Sequence, residues 1–451
     1  MRQNGPKRIL ILGGGFGGLY AALQLERTLA RKANTEVTLI NRENFLLFTP
    51  MLHEVAASDL DPTDIVNPVR KLLRRVKFFD GHVESIDLQD RRVIVSHGIE
   101  APHPHELEYD HLVIALGSIT NFFNLPGLQE RALTMKTLGD AIYLRNRLIQ
   151  HLEEADFECC PTLREPLLTF AVAGGGFAGV ETAAAMNDFL REAIKFYPHL
   201  REEMLRVVLV EALPVILPEL GPKLGTYAQK KLTDRKVEIR INTKIERFSD
   251  RGVELSDGDV IRTNTLIWIA GTSPNPLLAM LPCKKEKERL VVNEYMEVPD
   301  WPGVWALGDC ALIPDLKTGK PYPPTAQHAL REGKVLANNI TAAIWGGQKK
   351  PFVFSTIGQL AAIGRRTGVA RIMGFNFSGF IAWWLWRTIY LSKLPRFEKR
   401  LRVALTWILD LLFSKDLVQF MTLRAPSFSQ DDKLSPLFNH ASAKSDVARV
   451  H

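Results

Sequence analysis

Apolar and polar residues along the chain follow one arrangement that occurs twice. Residues 8–19, RILILGGGFGGL, pass from a short apolar run through a glycine cluster into a segment rich in Ala and Leu. Residues 169–180, TFAVAGGGFAGV, do the same. A continuous apolar run reads as a strand buried on both faces, as in a parallel sheet. Each unit is followed by another such run, VTLINR at 37–42 and RVVLVE at 206–211. The pattern predicts strand, glycine turn, helix and strand in both places: two copies of one nucleotide-binding fold, too far apart for a solenoid. A weaker echo follows each copy. YDHLVIALGS at 109–118 and TNTLIWIAGT at 263–272 are apolar strands ending in a glycine turn. Each comes after a stretch of alternating residues and turn residues, 81–110 and 237–262, that reads as hairpins. GVWALGDCA at 303–311 predicts one more strand, ending in Gly308-Asp309.

This predicts an α/β chain with two Rossmann-like domains. The first is discontinuous, 1–125 and 295–350, and the second is inserted at 126–294. Residues 351–420 form a different C-terminal region, and 421–451 are polar and patternless, as in a disordered tail. In the C-terminal region neither apolar run, Phe380 to Trp386 or Leu401 to Phe413, reaches the ~20 residues that span a bilayer. Phe397, Leu401, Leu405, Ile408 and Leu412 recur at helical spacing on one face, with Lys399, Arg400 and Arg402 off it.

Composition sharpens two points. With 451 residues, 46% hydrophobic and 24% charged, the chain is an ordinary globular protein of about three units. The net charge of +7 is concentrated: residues 360–402 hold nine Lys or Arg and one acid, Glu398. With Trp383, Trp384 and Trp386 nearby, this predicts an amphipathic helical region lying on an anionic membrane surface. The alternative is a helix pair packed on the protein's own core or on a second copy. No base-stacking or helix-turn-helix pattern points to nucleic acid. The four cysteines, Cys159, Cys160, Cys283 and Cys310, show no C-x-x-C and no metal-ligand spacing, and no metal is expected. Adjacent Cys159 and Cys160 suit a disulfide poorly, so a reducing compartment is expected. The run Ile9–Leu12 is too short for a signal-peptide core, so the cytoplasm is expected.

The candidate chemistry lies in the two glycine clusters. In Gly13-Gly14-Gly15-Phe16-Gly17-Gly18, Gly13 permits the turn, Gly15 lets backbone approach a pyrophosphate, and Gly18 lets helix and strand pack closely. The helix N-terminus then offers free N–H groups to the anion. The strand after it ends in Asn41, which accepts a ribose hydrogen bond without bringing charge, followed by Arg42. The second cluster is Gly174-Gly175-Gly176-Phe177-Ala178-Gly179, and its next strand ends in Glu211. A carboxylate there accepts from the 2′-hydroxyl of NADH and repels the 2′-phosphate of NADPH, so NADH is favoured over NADPH; the alternative is a solvated strand end. Glu181, placed in the first helical turn, is either a carboxylate favoured by the helix dipole or a group at the nicotinamide–flavin junction. Asp309, taken by itself, reads as a helix N-cap or turn residue.

Together these motifs resemble the two-dinucleotide-binding-domain flavoproteins of the glutathione reductase type. The resemblance implies FAD on the first unit, NAD(P)H on the second, and Asp309 on the ribityl chain. It extends the FAD site to Val83, Ala115 and Gly117 and the NADH site to Gly271. Disulfide reductases of that group need C-x-x-x-x-C near the first helix, and no Cys precedes Cys159 here. Sulfide:quinone reductases need a third cysteine that the 340–360 region lacks. YPPTAQHALREGKVLANNI at 322–340, NFLLFTPMLHEVAA at 44–57 and FSTIGQLAAIGRRTGVA at 354–370 resemble type II NADH:quinone oxidoreductases. The resemblance covers residues 7–420 and implies a peripheral enzyme on the cytoplasmic face of the cell membrane. In it a hydride passes from NADH to FAD and two electrons go on to a membrane quinone, without proton pumping. It places Ala326 and Gln327 beside the flavin, with Gln327 orienting flavin or quinone and Glu181 positioning nicotinamide or assisting proton balance. The family's second Gln is Arg331 here, which leaves the quinone open. A homodimer stays open too, as do a sulfide- or ferredoxin-linked reductase and a non-catalytic redox sensor.

Overall fold

A computed structural model describes residues 6–30, 32, 34–98 and 102–420. The tail expected over 421–451 lies outside the described residues.

The first unit opens with β1 (Lys7–Leu12), α1 (Phe16–Thr28), β2 (Thr35–Asn41) and the short helix α2 (Leu52–Ala56). It continues with β3 (Lys77–Asp80) and β4 (His111–Ile114). The second unit supplies α3 (Leu138–Phe157), β5 (Thr169–Ala173), α4 (Phe177–Ala193), β6 (Arg206–Val210), β7 (Val237–Arg240) and β8 (Thr265–Trp268). The chain then returns as β9 (Val304–Ala306) and α5 (Ala326–Trp345). The first sheet has the order β9-β4-β1-β2-β3 and is parallel throughout. The second, β7-β6-β5-β8, is parallel as well. In both sheets the strand before the glycine turn is central, which explains its unbroken apolar sequence. Ile9, Ile11 and Leu12 are fully buried, and so are Phe170, Ala171 and Val172.

The two hairpin-like stretches are three-stranded antiparallel sheets at 82–108 and 245–261. The end of the stretch expected for the second unit, 126–294, already belongs to the first unit's core: Leu278, Leu281, Leu290 and Val292 pack with it, as does the fully buried Trp305.

The last part is a three-stranded antiparallel sheet, β10 (Gly358–Ala362), β11 (Gly368–Ile372) and β12 (Phe375–Gly379), followed by α6 (Phe380–Lys393) and α7 (Phe397–Leu412). The expected apolar stripe of α7 forms, and it faces outward. Phe397, Leu401, Leu405, Ile408 and Leu412 are 55–78% exposed, while Val403 and Trp407 turn inward. The tryptophans of α6 divide differently from expectation. Trp383 and Trp386, three residues apart, share its inner face and are 8% and 1% exposed; only Trp384 points out, 54% exposed. Arg387 lies between Trp383 and Trp407, at 4.4 and 4.6 Å from the ring centroids. Two of the three indoles are thus core residues. Among the described residues no helix is long and apolar enough to cross a membrane.

The return of α5 fixes the first unit. α1 and α5 cross so closely that a Cβ on Gly333 would lie 2.4 Å from the Gly17 carbonyl oxygen and 2.9 Å from the Ala21 nitrogen. Both neighbours are backbone, so a methyl there must push the helices apart. Gly333→Ala is expected to cost ~1–3 kcal/mol of stability, read from denaturant unfolding. Unchanged stability would mean that the crossing has slack.

Candidate active site

The two glycine clusters have one geometry. A Cβ on Gly18 would lie 1.9 Å from the Gly13 carbonyl oxygen, and one on Gly179 would lie 1.8 Å from that of Gly174. Each helix therefore starts in contact with the strand that feeds it, which only glycine allows. Gly15 and Gly176 have nothing within 4 Å of that position. Each is the N-cap of its helix and no side chain caps it. The first turn's N–H groups thus face open space, where a pyrophosphate fits.

Each loop is pinned by the residue ending the next strand. Asn41 accepts from the Gly14 N–H through Oδ1 at 2.7 Å, and its Nδ2 donates to the Glu43 carbonyl at 2.7 Å. Glu211 accepts from the Gly175 N–H through one oxygen, and from the Leu213 N–H through the other at 2.8 Å. Asn41 and Glu211 are therefore equivalent positions. Arg42 beside Asn41 is exposed, whereas Val83 is buried in the first unit's core. Ala115 lies against the turn, its Cβ 3.3 Å from the position a Gly18 Cβ would take. Gly271 packs under Asn121 and Phe123. Gly117 precedes Ser118, whose hydroxyl donates to Asp309 Oδ2 at 2.6 Å and accepts from Lys136 Nζ at 2.9 Å. Burial lowers the Lys136 pKa, and Asp309 opposes the shift. Asp309 is thus one end of a three-residue polar chain as well as a turn residue. Ser118 and Lys136 carried no motif of their own. Neither did Glu332, which accepts from the Gly308 N–H at 2.9 Å and is pushed up to about 7 by burial.

Ala326 and Gln327 open α5 and are half-buried. Gln327 Nε2 donates to the Gly358 carbonyl at 3.4 Å. Arg331, in place of the expected Gln, folds back to donate to the Gln327 carbonyl at 2.7 Å and lies 4.1 Å from the Phe354 ring centroid.

Glu181 is not in the first turn of α4, where no acid is found, but at the helix's fifth residue. It is 7% exposed and turned toward the C-terminal region. It accepts from Trp386 Nε1 at 2.8 Å and from the Ala362 N–H at 3.1 Å, so the helix-dipole reading does not apply. Burial raises its pKa to about 8 and lowers that of His53 to about 3. Their 3.9 Å separation is therefore a contact between two neutral groups at neutral pH. A run of rings, two contacts edge-on and the last tilted, joins this point to the first glycine loop. Phe16 meets Phe48 at 5.9 Å between centroids, Phe48 meets Tyr390 at 6.3 Å, and Tyr390 meets Trp386 at 4.8 Å.

This arrangement has known counterparts. Residues 7–333 match the family model of the pyridine nucleotide-disulphide oxidoreductases, and residues 357–416 match the NDH2 C-terminal domain. A type II NADH:quinone oxidoreductase of Mycobacterium tuberculosis is 32% identical over 424 residues, covering 90% of this chain and 89% of that one. The chain belongs to the type II NADH:quinone oxidoreductases, within the pyridine nucleotide-disulphide oxidoreductase family. It is an FAD flavoprotein and an NADH:quinone oxidoreductase. A probable NADH dehydrogenase of Dictyostelium discoideum is 30% identical over 421 residues, covering 92% of this chain and 91% of that one. NDH2 from Plasmodium falciparum, solved in complex with NADH, superposes with a TM-score of 0.85 at 21% identity, over 91% of this chain and 99% of that one. The sulfide:quinone oxidoreductase of Aquifex aeolicus shares the fold at 18% identity with a TM-score of 0.68, covering 90% of this chain and 94% of that one. Sulfide chemistry gains no support from Cys310. Its thiol is buried, pushed up to about 12, and directed at the Gly117 carbonyl.

The buried carboxyl of Glu181 predicts a pH effect on stability. Its pKa is about 8 in the fold against an ordinary value of 4.5. The folded state therefore keeps a proton that the unfolded chain has lost. This contribution is complete below about pH 4.5 and is lost as pH rises through about 8. Glu181→Gln, which never ionises, should gain stability relative to the parent across that window. Thermal midpoints of both proteins against pH check this; a constant difference would mean that the carboxyl is already ionised.

Proposed function

We propose that the first unit holds FAD and the second holds NADH, and that a hydride passes from NADH to the flavin and two electrons on to a membrane quinone, without proton pumping. Gly15, the free N-terminus of α1, Asn41 and Asp309 fit the pyrophosphate, ribose and ribityl parts of FAD. Phe16, Ala115, Gly117, Ala326 and Gln327 line the same side. Gly176, the N-terminus of α4 and Glu211 fit NADH, with Gly271 beyond them. Bound FAD supplies the redox chemistry; the protein binds, orients and shields. Gln327 orients flavin or quinone. Arg331 replaces the uncharged side chain expected there with a cation.

One observation carries the membrane part of this reading. The ring series that starts at Phe16 ends in α6, and beside α6 the apolar stripe of α7 lies exposed, with five large side chains that no described residue covers. A monomeric surface rarely leaves such a stripe bare, whereas a lipid interface buries it. The nearby Arg402, Arg366, Arg371 and Lys393 are exposed, where they meet anionic headgroups. A lipid-soluble quinone then reaches the flavin from the membrane side. We place the protein on the cytoplasmic face of the cell membrane as a peripheral protein. The domain division proposed is 1–125 with 295–350, 126–294, and 351–420. The packing of Leu278 and Leu281 supports a return to the first unit somewhat before 295.

Two outcomes test this reading. Glu211→Gln removes the charge that repels a 2′-phosphate, so the preference for NADH over NADPH, measured as the ratio of kcat/KM, should fall by about tenfold; an unchanged ratio would remove Glu211 from the nucleotide site. Leu401→Glu with Ile408→Glu should abolish sedimentation with anionic vesicles while NADH oxidation by ferricyanide stays at the parental rate. Undiminished binding would refute the stripe as the lipid contact.

A further inference from the structure

One helical turn after Gln327 stands a guanidinium, and its surroundings are those of a cation without a counterion. Residues four apart share a helix face, and helical side chains lean toward the N-terminus, so a long side chain at 331 covers the turn that carries Gln327. Arg331 does this, donating to the Gln327 carbonyl at 2.7 Å. Its other contact is the Phe354 ring, 4.1 Å from the guanidinium carbon to the centroid. Neither partner carries charge. Among the described residues no carboxylate pairs with Arg331, and burial lowers its pKa with no acid opposing the shift. Arg145 is the contrast: burial lowers it too, but Asp416 and Asp61 oppose the shift. The acid next in sequence to Arg331, Glu332, is buried and turned inward, accepting from the Gly308 N–H.

A second cation lies near the first. Lys393, the last residue of α6, is lowered by burial and then by Arg331, and no acid is among the causes. Two like charges near each other, without a carboxylate, repel until an anion arrives between them. The walls beside them are apolar. Phe354 is half-buried, and Ile357 is exposed next to Gly358, whose carbonyl accepts from Gln327 Nε2. Apolar walls with one unpaired guanidinium suit a flat ring that carries a negative charge.

We propose that Arg331 sets the acceptor specificity of the enzyme, favouring quinones whose ring bears an ionised hydroxyl over their neutral counterparts. This rests on the reading of Gln327 as a group at the flavin–quinone site. The ionised hydroxyl and the carbonyl beside it present two acceptor oxygens side by side, the pair that a guanidinium fork fits. Arg331 keeps its charge at neutral pH, so it attracts such a ring before any electron has moved. The Gln expected at this position would offer the same ring a hydrogen bond but no charge.

The test uses the intact FAD-loaded protein with NADH at neutral pH and two naphthoquinones of similar size. Lawsone, with one acidic ring hydroxyl, is an anion there; its methyl ether is neutral. The parent should show the lower KM for lawsone. Arg331→Gln should raise the ratio of the two KM values, lawsone over ether, by about tenfold, with the change in KM rather than kcat. Arg331→Lys should keep part of the preference. Should Arg331→Gln fail to fold, lawsone binding to the oxidised parent, followed by flavin absorbance, should weaken with added salt while binding of the ether does not. A ratio unaltered by Arg331→Gln, a parent that favours the ether, or lawsone binding indifferent to salt overturns the assignment to Arg331. NADH oxidation by ferricyanide with neither naphthoquinone reduced would instead sink the quinone reading, and this assignment with it.

Discussion

Everything in this fold depends on two helices that begin in van der Waals contact with the strands that feed them. The Gly18–Gly13 and Gly179–Gly174 contacts leave no room for a methyl group. That approach fixes the direction of α1 and α4, and hence where their free N–H groups converge. A parallel sheet places such a helix start at the carboxyl edge of its central strand, beside the neighbouring strand's last residue. Asn41 and Glu211 occupy that neighbouring place, and each is spent partly on tying down its own loop. Each loop is therefore held by hydrogen bonds of the protein's own, and a nucleotide bound there as proposed would not have to order it.

Much of this was legible in the sequence, because the constraints are local. A glycine cluster between an apolar strand and an Ala-rich helix fixes the backbone path within a few residues, and both copies formed. The hairpins at 82–108 and 245–261 followed from alternation and turn residues. The stripe of α7 was visible as periodicity, although periodicity alone could not say which way it faced. That depends on Val403 and Trp407, which fill the narrow inner face.

What stayed hidden depends on distant partners. Trp383 and Trp386 read as boundary residues because indoles are common at lipid interfaces; here Arg387 and Trp407 hold them inside. Glu181 looked like a first-turn acid until β10 and α6 closed over it. Lys136 reaches Ser118, 18 positions away, and nothing in its neighbourhood announces that hydrogen bond. Glu54 lies in a stretch that resembles the family, but the Trp407 that donates to it stands on α7, more than three hundred residues later.

The insertion of one unit inside the other sets the order in which the chain can be completed as it leaves the ribosome. All four strands of the inner sheet lie between Thr169 and Trp268. The outer sheet still lacks its edge strand until Val304–Ala306 has emerged, and α1 lacks its covering helix until Trp345. The half of the molecule that is translated first therefore waits longest for its sheet to close, with the surface meant for Gly333 bare while its younger neighbour's sheet is already complete.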